Sequence, residues 1–311
     1  MNRITAIFAA VLVVSLTAAG LVLQRIDRLR AAPAAEEALY LPSARVLKRI
    51  SLGCDGLLAD VYWTRAVQYF GGKHFQRARR YDSLAPLLEI ATELDPHLVV
   101  AYQFGSIFLA QQPPEGAGQP EKAVSLVERG IRANPAEWRL YYNLAWIEYD
   151  RRNYAAASRA FERGAQVPGA PPAMGVMAAT TAQHGGEMET ARLLWTQIFN
   201  TTEDKTVRAT AIKHLQALQV DEDIAHWETA VRAYRAVAGR YPETWSQLLL
   251  AGWRGHILDP TGRPYRLKPD GRIEVQDPDQ LPFITRGLPP GRDAWGLTPE
   301  QRKAIQSVEP R

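Results

Sequence analysis

Cysteine is all but missing: Cys54 is the only one in 311 residues. One thiol excludes an intramolecular disulfide, a CxxC redox pair, a zinc knuckle and a CxxCH haem attachment. Histidine is sparse too. None of His74, His97, His184, His214, His226 and His256 stands three or four residues from another, and HExxH is absent, so no helical metal motif is available. Gly116-Ala117-Gly118 is not followed by Gly-Lys-Ser/Thr and reads as a flexible loop, not a phosphate cradle. No GxSxG nucleophile turn occurs. Charge of one sign is also lacking: 37 basic residues are interspersed with 33 acidic ones, which argues against nucleic acid as a partner. With no catalytic set, the chain reads as a non-enzyme that takes no cofactor or metal.

What the chain does have is an apolar run at its start. Ile4 to Leu23 carries only Thr5, Ser15 and Thr17 as mildly polar residues. Twenty residues of helix measure about 30 Å, the thickness of a bilayer core, and hydrocarbon leaves backbone polar groups no other way to be satisfied. Residues 1–24 are therefore expected to be a transmembrane anchor. The competing reading is a cleaved signal peptide, since Ala18-Ala19-Gly20 has suitably small residues; the continuing Leu21-Val22-Leu23 favours a retained span. Arg3 on one side and Arg25, Arg28 and Arg30 on the other leave orientation unsettled by charge. Residues 25–55 read as linker and lead-in.

Self-similarity begins near residue 56. The clearest unit contains Leu144-Ala145, Tyr154, Ala157, Phe161 and Gly164, and at an offset of 34 Ala145 maps to Ala179, Ala157 to Ala191 and Phe161 to Trp195. Tyr141 maps to Gly175, where a large residue is usual. An earlier unit has Tyr102, Gly105 and Phe108, then Ala123, Val127 and Gly130, with about five residues inserted around Pro113–Pro120. A weaker one has Tyr62-Trp63, Ala66 and Phe70, a basic loop from Lys73 to Arg80, then Leu84, Leu88 and Ala91. The spacing resembles the tetratricopeptide repeat (TPR), in which small residues let two antiparallel helices approach and large ones fill the gap. The resemblance implies an α-solenoid of about four helix pairs over residues 56–204. Residues 205–240 are expected to cap it with two helices, Lys205 to Leu218 and Asp221 to Ala238, the second begun by Asp221-Glu222-Asp223.

After Pro242 the texture changes. Trp245 to Leu250 suits a short helix. Pro264–Leu267 and Arg272–Val275 alternate as strands do around a Pro269-Asp270-Gly271 turn. Residues 241–280 thus form a small α+β piece with a short β-hairpin. Val231, Tyr234, Gly239, Tyr241, Pro242, Leu248, Asp259, Pro260, Gly262, Pro264 and Tyr265 resemble the soluble part of the major pseudopilin of type II secretion. The N-terminus lacks that family's peptidase site, so the chain is not itself read as a pilin subunit. Asp277 and Asp279 fall where that family holds calcium, at a generic spacing. Residues 281–311 read as an extended tail, with a short helix begun by Thr298-Pro299-Glu300.

The fold expected is thus mainly α, with the hairpin as its one β element. The TPR resemblance implies that the first helix of each repeat lines a groove for a protein or peptide. That selects Gln103, Arg139, Tyr142, Trp146, Tyr149 and Asp150; Tyr142 and Trp146 have ordinary core packing as their competing role. The function expected is a scaffold for assembly of a bacterial envelope complex, of secretion or pilus type. It would be held in the inner membrane by a single span, with the soluble part on the periplasmic side. The alternative is an enzyme or enzyme subunit with its site in the C-terminal piece or at its seam with the array.

Overall fold

Alanine at a helix contact allows two backbones to approach, and the helix pairs are built on that rule. In a computed structural model of the chain, residues 43–292 are described, with Ser15, Thr17, Ala18, Leu21 and Arg25 as isolated helical positions. The expected anchor, apart from Ser15, Thr17, Ala18 and Leu21, and the helix expected at Thr298 lie outside the described residues. Among the described residues no helix is long and apolar enough to cross a membrane.

The described elements are α1 (Ala44–Ile50), α2 (Asp55–Phe75), α3 (Leu84–Leu94), α4 (Val99–Ala110), α5 (Pro120–Ala133), α6 (Trp138–Asp150), α7 (Tyr154–Ala165), α8 (Ala173–His184), α9 (Met188–Thr201), α10 (Lys205–Ala238) and α11 (Trp245–Leu250), then β1 (Arg266–Leu267), β2 (Ile273–Glu274) and a 3₁₀ turn Pro278–Gln280. The chain divides into two compact units, Met1–Pro135 and Ala136–Arg311.

In the first unit α2 packs on α3, α3 on α4 and α4 on α5, with α1 against α3. Ala59, Ala66, Leu84, Leu88, Ala91, Ala101, Ala123 and Val127 are fully buried. α2 runs on through Lys73 and His74, and the Lys73 charge suits the negative end of the helix dipole. The basic loop therefore starts at Gln76, not at Lys73 as expected. The insertion is not a flexible loop either. Ala117 N–H donates to the Phe108 carbonyl at 2.8 Å, Gly118 to Gln111 at 2.7 Å and Gln119 to Leu109 at 2.7 Å. The Tyr81 hydroxyl donates to the Pro114 carbonyl at 2.7 Å. Backbone pairing of this density folds the segment onto α4.

In the second unit α6, α7, α8, α9 and α10 pack in succession. Ala145, Ala157, Ala179 and Ala191, the small positions picked out by the 34-residue offset, are fully buried. The α6–α7 turn is clamped by buried Glu148, which accepts from Arg151 Nη1 and from Asn153 Nδ2, each at 3.1 Å. Pairing of consecutive helices within each unit is compatible with a solenoid.

Two expectations fail in the C-terminal third. The capping region is one helix of 34 residues, not two. Asp204 caps its start, accepting from Thr206 N–H at 2.7 Å, and it ends at Gly239. Asp221 and Asp223 lie in its middle because the buried stripe Ala217, Val220, Ile224, Trp227 and Val231 continues past them. Asp221 accepts 2.8 Å bonds from Thr285 N–H, Thr285 Oγ1 and Arg286 N–H. Asp223 accepts from Gln219 Nε2 at 2.9 Å and from the Tyr265 hydroxyl at 3.0 Å. Partners distant in sequence thus make two mid-helix carboxylates tolerable. Burial nonetheless raises the Asp221 pKa, against the lowering effect of those bonds.

The second failure concerns the tail. Residues 281–292 are not extended: Leu281 and Ile284 sit in one core with Trp227, Leu248, Tyr265, Ile273 and Val275. The hairpin is as expected, with Arg266 opposite Glu274 and Leu267 opposite Ile273, antiparallel.

Candidate partner-binding face

A residue every three or four positions on a helix falls on one face. Trp138, Tyr142, Trp146 and Tyr149 follow that spacing on α6 and form a continuous aromatic row. Successive ring centroids are 6.3, 6.1 and 5.4 Å apart, all edge to face, the geometry in which aromatic quadrupoles attract. Phe161 of α7, fully buried, lies beneath them, 6.0 Å from Tyr142 and 5.6 Å from Trp146. Core packing and surface exposure are therefore combined: the row rests on Phe161, while Trp146 stays 38% exposed. Arg139 extends it, its guanidinium 4.7 Å above the Trp138 ring and 2.9 Å from Glu137 Oε1.

The structure brings together five of the six expected groove residues. Arg139, Tyr142, Trp146, Tyr149 and Asp150 share α6; Arg139 and Asp150 are exposed, Tyr142 and Tyr149 half-buried. Gln103 is on α4, half-buried, in the other unit. Three members of the face were missed. Trp138 begins the row. Tyr154 stands 5.2 Å from Tyr149, and His184 stands 4.6 Å from Tyr154 and 5.9 Å from Tyr149. The signal for His184 was present: it lies one repeat after Asp150, at the same 34-residue offset used for the alanines.

A second feature is a cavity of about 770 Å³ among α7, α8, α9 and the start of α10, lined by Gly175, Val176, Leu194, Ile198 and Val207, with Glu162 and Asp204 as its acidic members. Its origin is a swap between two facing positions. At Gly130 an added Cβ would lie 2.7 Å from the Tyr102 ring, and at Gly164 one would lie 2.8 Å from Tyr141 Cβ. One repeat later Gly175 takes the tyrosine position and Ile198 the glycine position, 34 residues after Tyr141 and Gly164. Isoleucine is smaller than tyrosine, and a Cβ at Gly175 would meet nothing within 4 Å.

The C-terminal piece holds two polar arrangements. Exposed His256 places Nδ1 3.1 Å from buried Asp223 Oδ1. On the same carboxylate, burial and then the Asp223 charge hold the Tyr265 hydroxyl far above an ordinary phenol. Nearer the repeats, His214 lies flat between Trp195 and Phe283, with ring centroids at 4.0 and 3.8 Å. Gln183 Nε2 donates to the Phe283 carbonyl at 3.4 Å. That leaves Gln183 Oε1 facing His214 Nδ1 at 2.8 Å, so the imidazole donates there. Burial pulls the His214 pKa down to about 4.

The other candidates resolve into structure. Asp259 is buried in its own turn, accepting from Thr261 N–H at 2.8 Å and Arg263 N–H at 3.1 Å. Asp277 pairs with Arg263 and Asp279 with Arg292. Among the described residues no group of three or more His, Cys, Asp or Glu could hold a metal ion. No protein-family profile and no curated protein matches the chain.

Proposed function

We propose that the chain is a membrane-anchored TPR scaffold that grips a protein or peptide partner on the aromatic face of α6. The observation that carries this is the row Trp138, Tyr142, Trp146 and Tyr149, supported by Phe161 yet open at Trp146. Partly exposed aromatics beside an arginine are the side chains that most often anchor interfaces. An extended peptide with apolar side chains at alternate positions, or an amphipathic helix, suits such a ridge. In this reading residues 1–24 hold the protein in a bacterial inner membrane, and the pseudopilin-like residues favour a periplasmic place beside secretion or pilus-type machinery.

A photo-crosslinking amino acid at position 146 of the full chain, activated in native membranes, tests the reading. One or a few discrete protein adducts, lost in Tyr142→Ala and Tyr149→Ala, support it. Adducts that form equally from Ala251 overturn it. A phosphatase fused after Arg311 reports the side of the membrane; activity supports the periplasmic placement, and a silent fusion with a bright cytoplasm-only reporter reverses it.

The alternative, an enzyme or enzyme subunit, draws on one observation: the exposed imidazole of His256 oriented by the buried Asp223 carboxylate, an arrangement used for general bases. Turnover of any substrate by the purified protein that is lost in His256→Ala would favour it.

A further inference from the structure

The corner where α1 turns into α2 presents apolar side chains to solvent among basic ones. Ala44 and Leu47 face inward, while Arg45, Val46, Lys48, Arg49 and Ile50 are exposed. The turn that follows puts Leu52 at φ +51° with the residue 92% exposed. A β-carbon clashes in that left-handed region, at a cost of roughly 1 kcal/mol. Leu57, on the first turn of α2, is exposed as well. Ser51 Oγ donates to Asp55, drawing the nearest carboxylate into the turn. The tip is thus apolar and its flank cationic.

We infer that this corner inserts into the headgroup region of an anionic bilayer, with Ile50, Leu52 and Leu57 in the acyl boundary and Arg45, Lys48 and Arg49 on lipid phosphates. Exposed apolar side chains beside Lys and Arg are the composition of in-plane membrane-binding segments, and each cation near an anionic surface contributes on the order of 1 kcal/mol. A protein groove able to cover the same corner would need to neutralise three cations and enclose a leucine tip; a lipid surface supplies both at once. The length of the intervening chain also keeps the corner within reach of the bilayer. The apolar run ends at Leu23 and α1 is capped by Ser43, a separation that extended chain spans in about 70 Å or less. Arg25, Arg28 and Arg30 on that stretch are matched by Asp27, Glu36 and Glu37, so the cations that meet the lipid are those of the corner itself. The inference rests on the anchored reading of residues 1–24.

Cys54 is exposed, adjoins the tip, and is the only cysteine in the sequence, so the native chain accepts one fluorophore at the right place. The full chain labelled there is reconstituted into vesicles of phosphatidylcholine alone or mixed with phosphatidylglycerol, carrying nitroxide lipids. Expected are a blue-shifted emission and several-fold stronger quenching by lipid nitroxide than by a water-soluble quencher, greater with phosphatidylglycerol. Leu52→Asp should abolish both effects with an unchanged circular dichroism melt, since Asp tolerates the left-handed region better than Leu. Arg45→Glu/Lys48→Glu/Arg49→Glu should abolish the phosphatidylglycerol dependence. Protein that floats with the vesicles but shows only aqueous quenching overturns the corner and leaves the anchor standing. Protein that fails to float overturns the anchor reading, and the corner survives that result only if phosphatidylglycerol vesicles still shift the label. Concentration-dependent energy transfer between labelled copies, with no lipid quenching, overturns the inference in favour of self-association.

Discussion

Both the amide and the hydroxyl of Thr285 donate to the carboxylate of Asp221, each at 2.8 Å, across 64 residues of sequence. With the Arg286 amide they give one buried side chain three bonds, which fasten the last described segment to the middle of α10. Asp221→Ala should cost about 2–4 kcal/mol, because it strands the donors as well as removing the acceptor. Thermal melts give the loss, and trypsin should cleave after Arg286 sooner than in the unaltered protein. An unchanged cleavage rate would show that the apolar contacts of Leu281 and Ile284 hold the segment without Asp221.

Ala157 has no exposed surface, on a helix packed against both α6 and α8. Ala157→Arg should cost several kcal/mol, on the order of 3–5, through overpacking and an unpaired buried charge. A melting temperature equal to that of the parent protein would overturn the repeat register.

Gly175 offers the opposite case, since a side chain there enters open space. Gly175→Ala should stabilise the protein by about 1 kcal/mol, the helix-propensity difference, or roughly 2–4 °C in Tm. Gly175→Leu should gain further by occupying the cavity. A lowered Tm in both variants would mean that the space beside Val176 and Ile198 is already spoken for in solution.

His214 makes stability depend on pH in a defined direction. Its folded pKa, about 4, lies below the ordinary 6.5. Between those values the unfolded chain takes the proton first, so stability is full above about pH 6.5 and falls as pH drops toward 4. The loss should be about 1–3 kcal/mol, less than the full shift implies because the imidazole is not wholly shut off from solvent. Asp221, with its raised pKa, acts in the contrary sense, so the comparison to make is between the parent and His214→Gln. Denaturant melts across this range should show a shallower acid loss in the variant; parallel curves would rule His214 out.

The repeats were legible because their signal is local and periodic: Ala145, Ala157, Ala179 and Ala191 recur at one offset, and all four are fully buried. The hairpin was legible from alternation around Pro269-Asp270-Gly271. The single capping helix was not. Asp221-Glu222-Asp223 has the composition of a helix start, and only the donors at Thr285, Arg286, Gln219 and Tyr265 reveal a helix interior. Nothing near position 221 announces partners 64 residues away. The tail was misread for a related reason: its prolines and glycines outweighed Leu281 and Ile284, whose burial depends on a core assembled elsewhere. The aromatic face was half legible. Register located the α6 residues, and the offset from Asp150 pointed to His184 as well; that Tyr154 and His184 close on Tyr149 is a ring-to-ring contact that periodicity does not encode.

At 1.5 Å per residue, the 34-residue α10 is about 51 Å long. Its first half packs on α9 and its second half is the spine of the C-terminal core. No loop intervenes between those two roles: the terminal module and the last helix pair share one continuous helix. A tilt imposed on α10 by a ligand at α9 would be carried to the hairpin as by a lever arm, and the far end would travel farther than the point that was pushed.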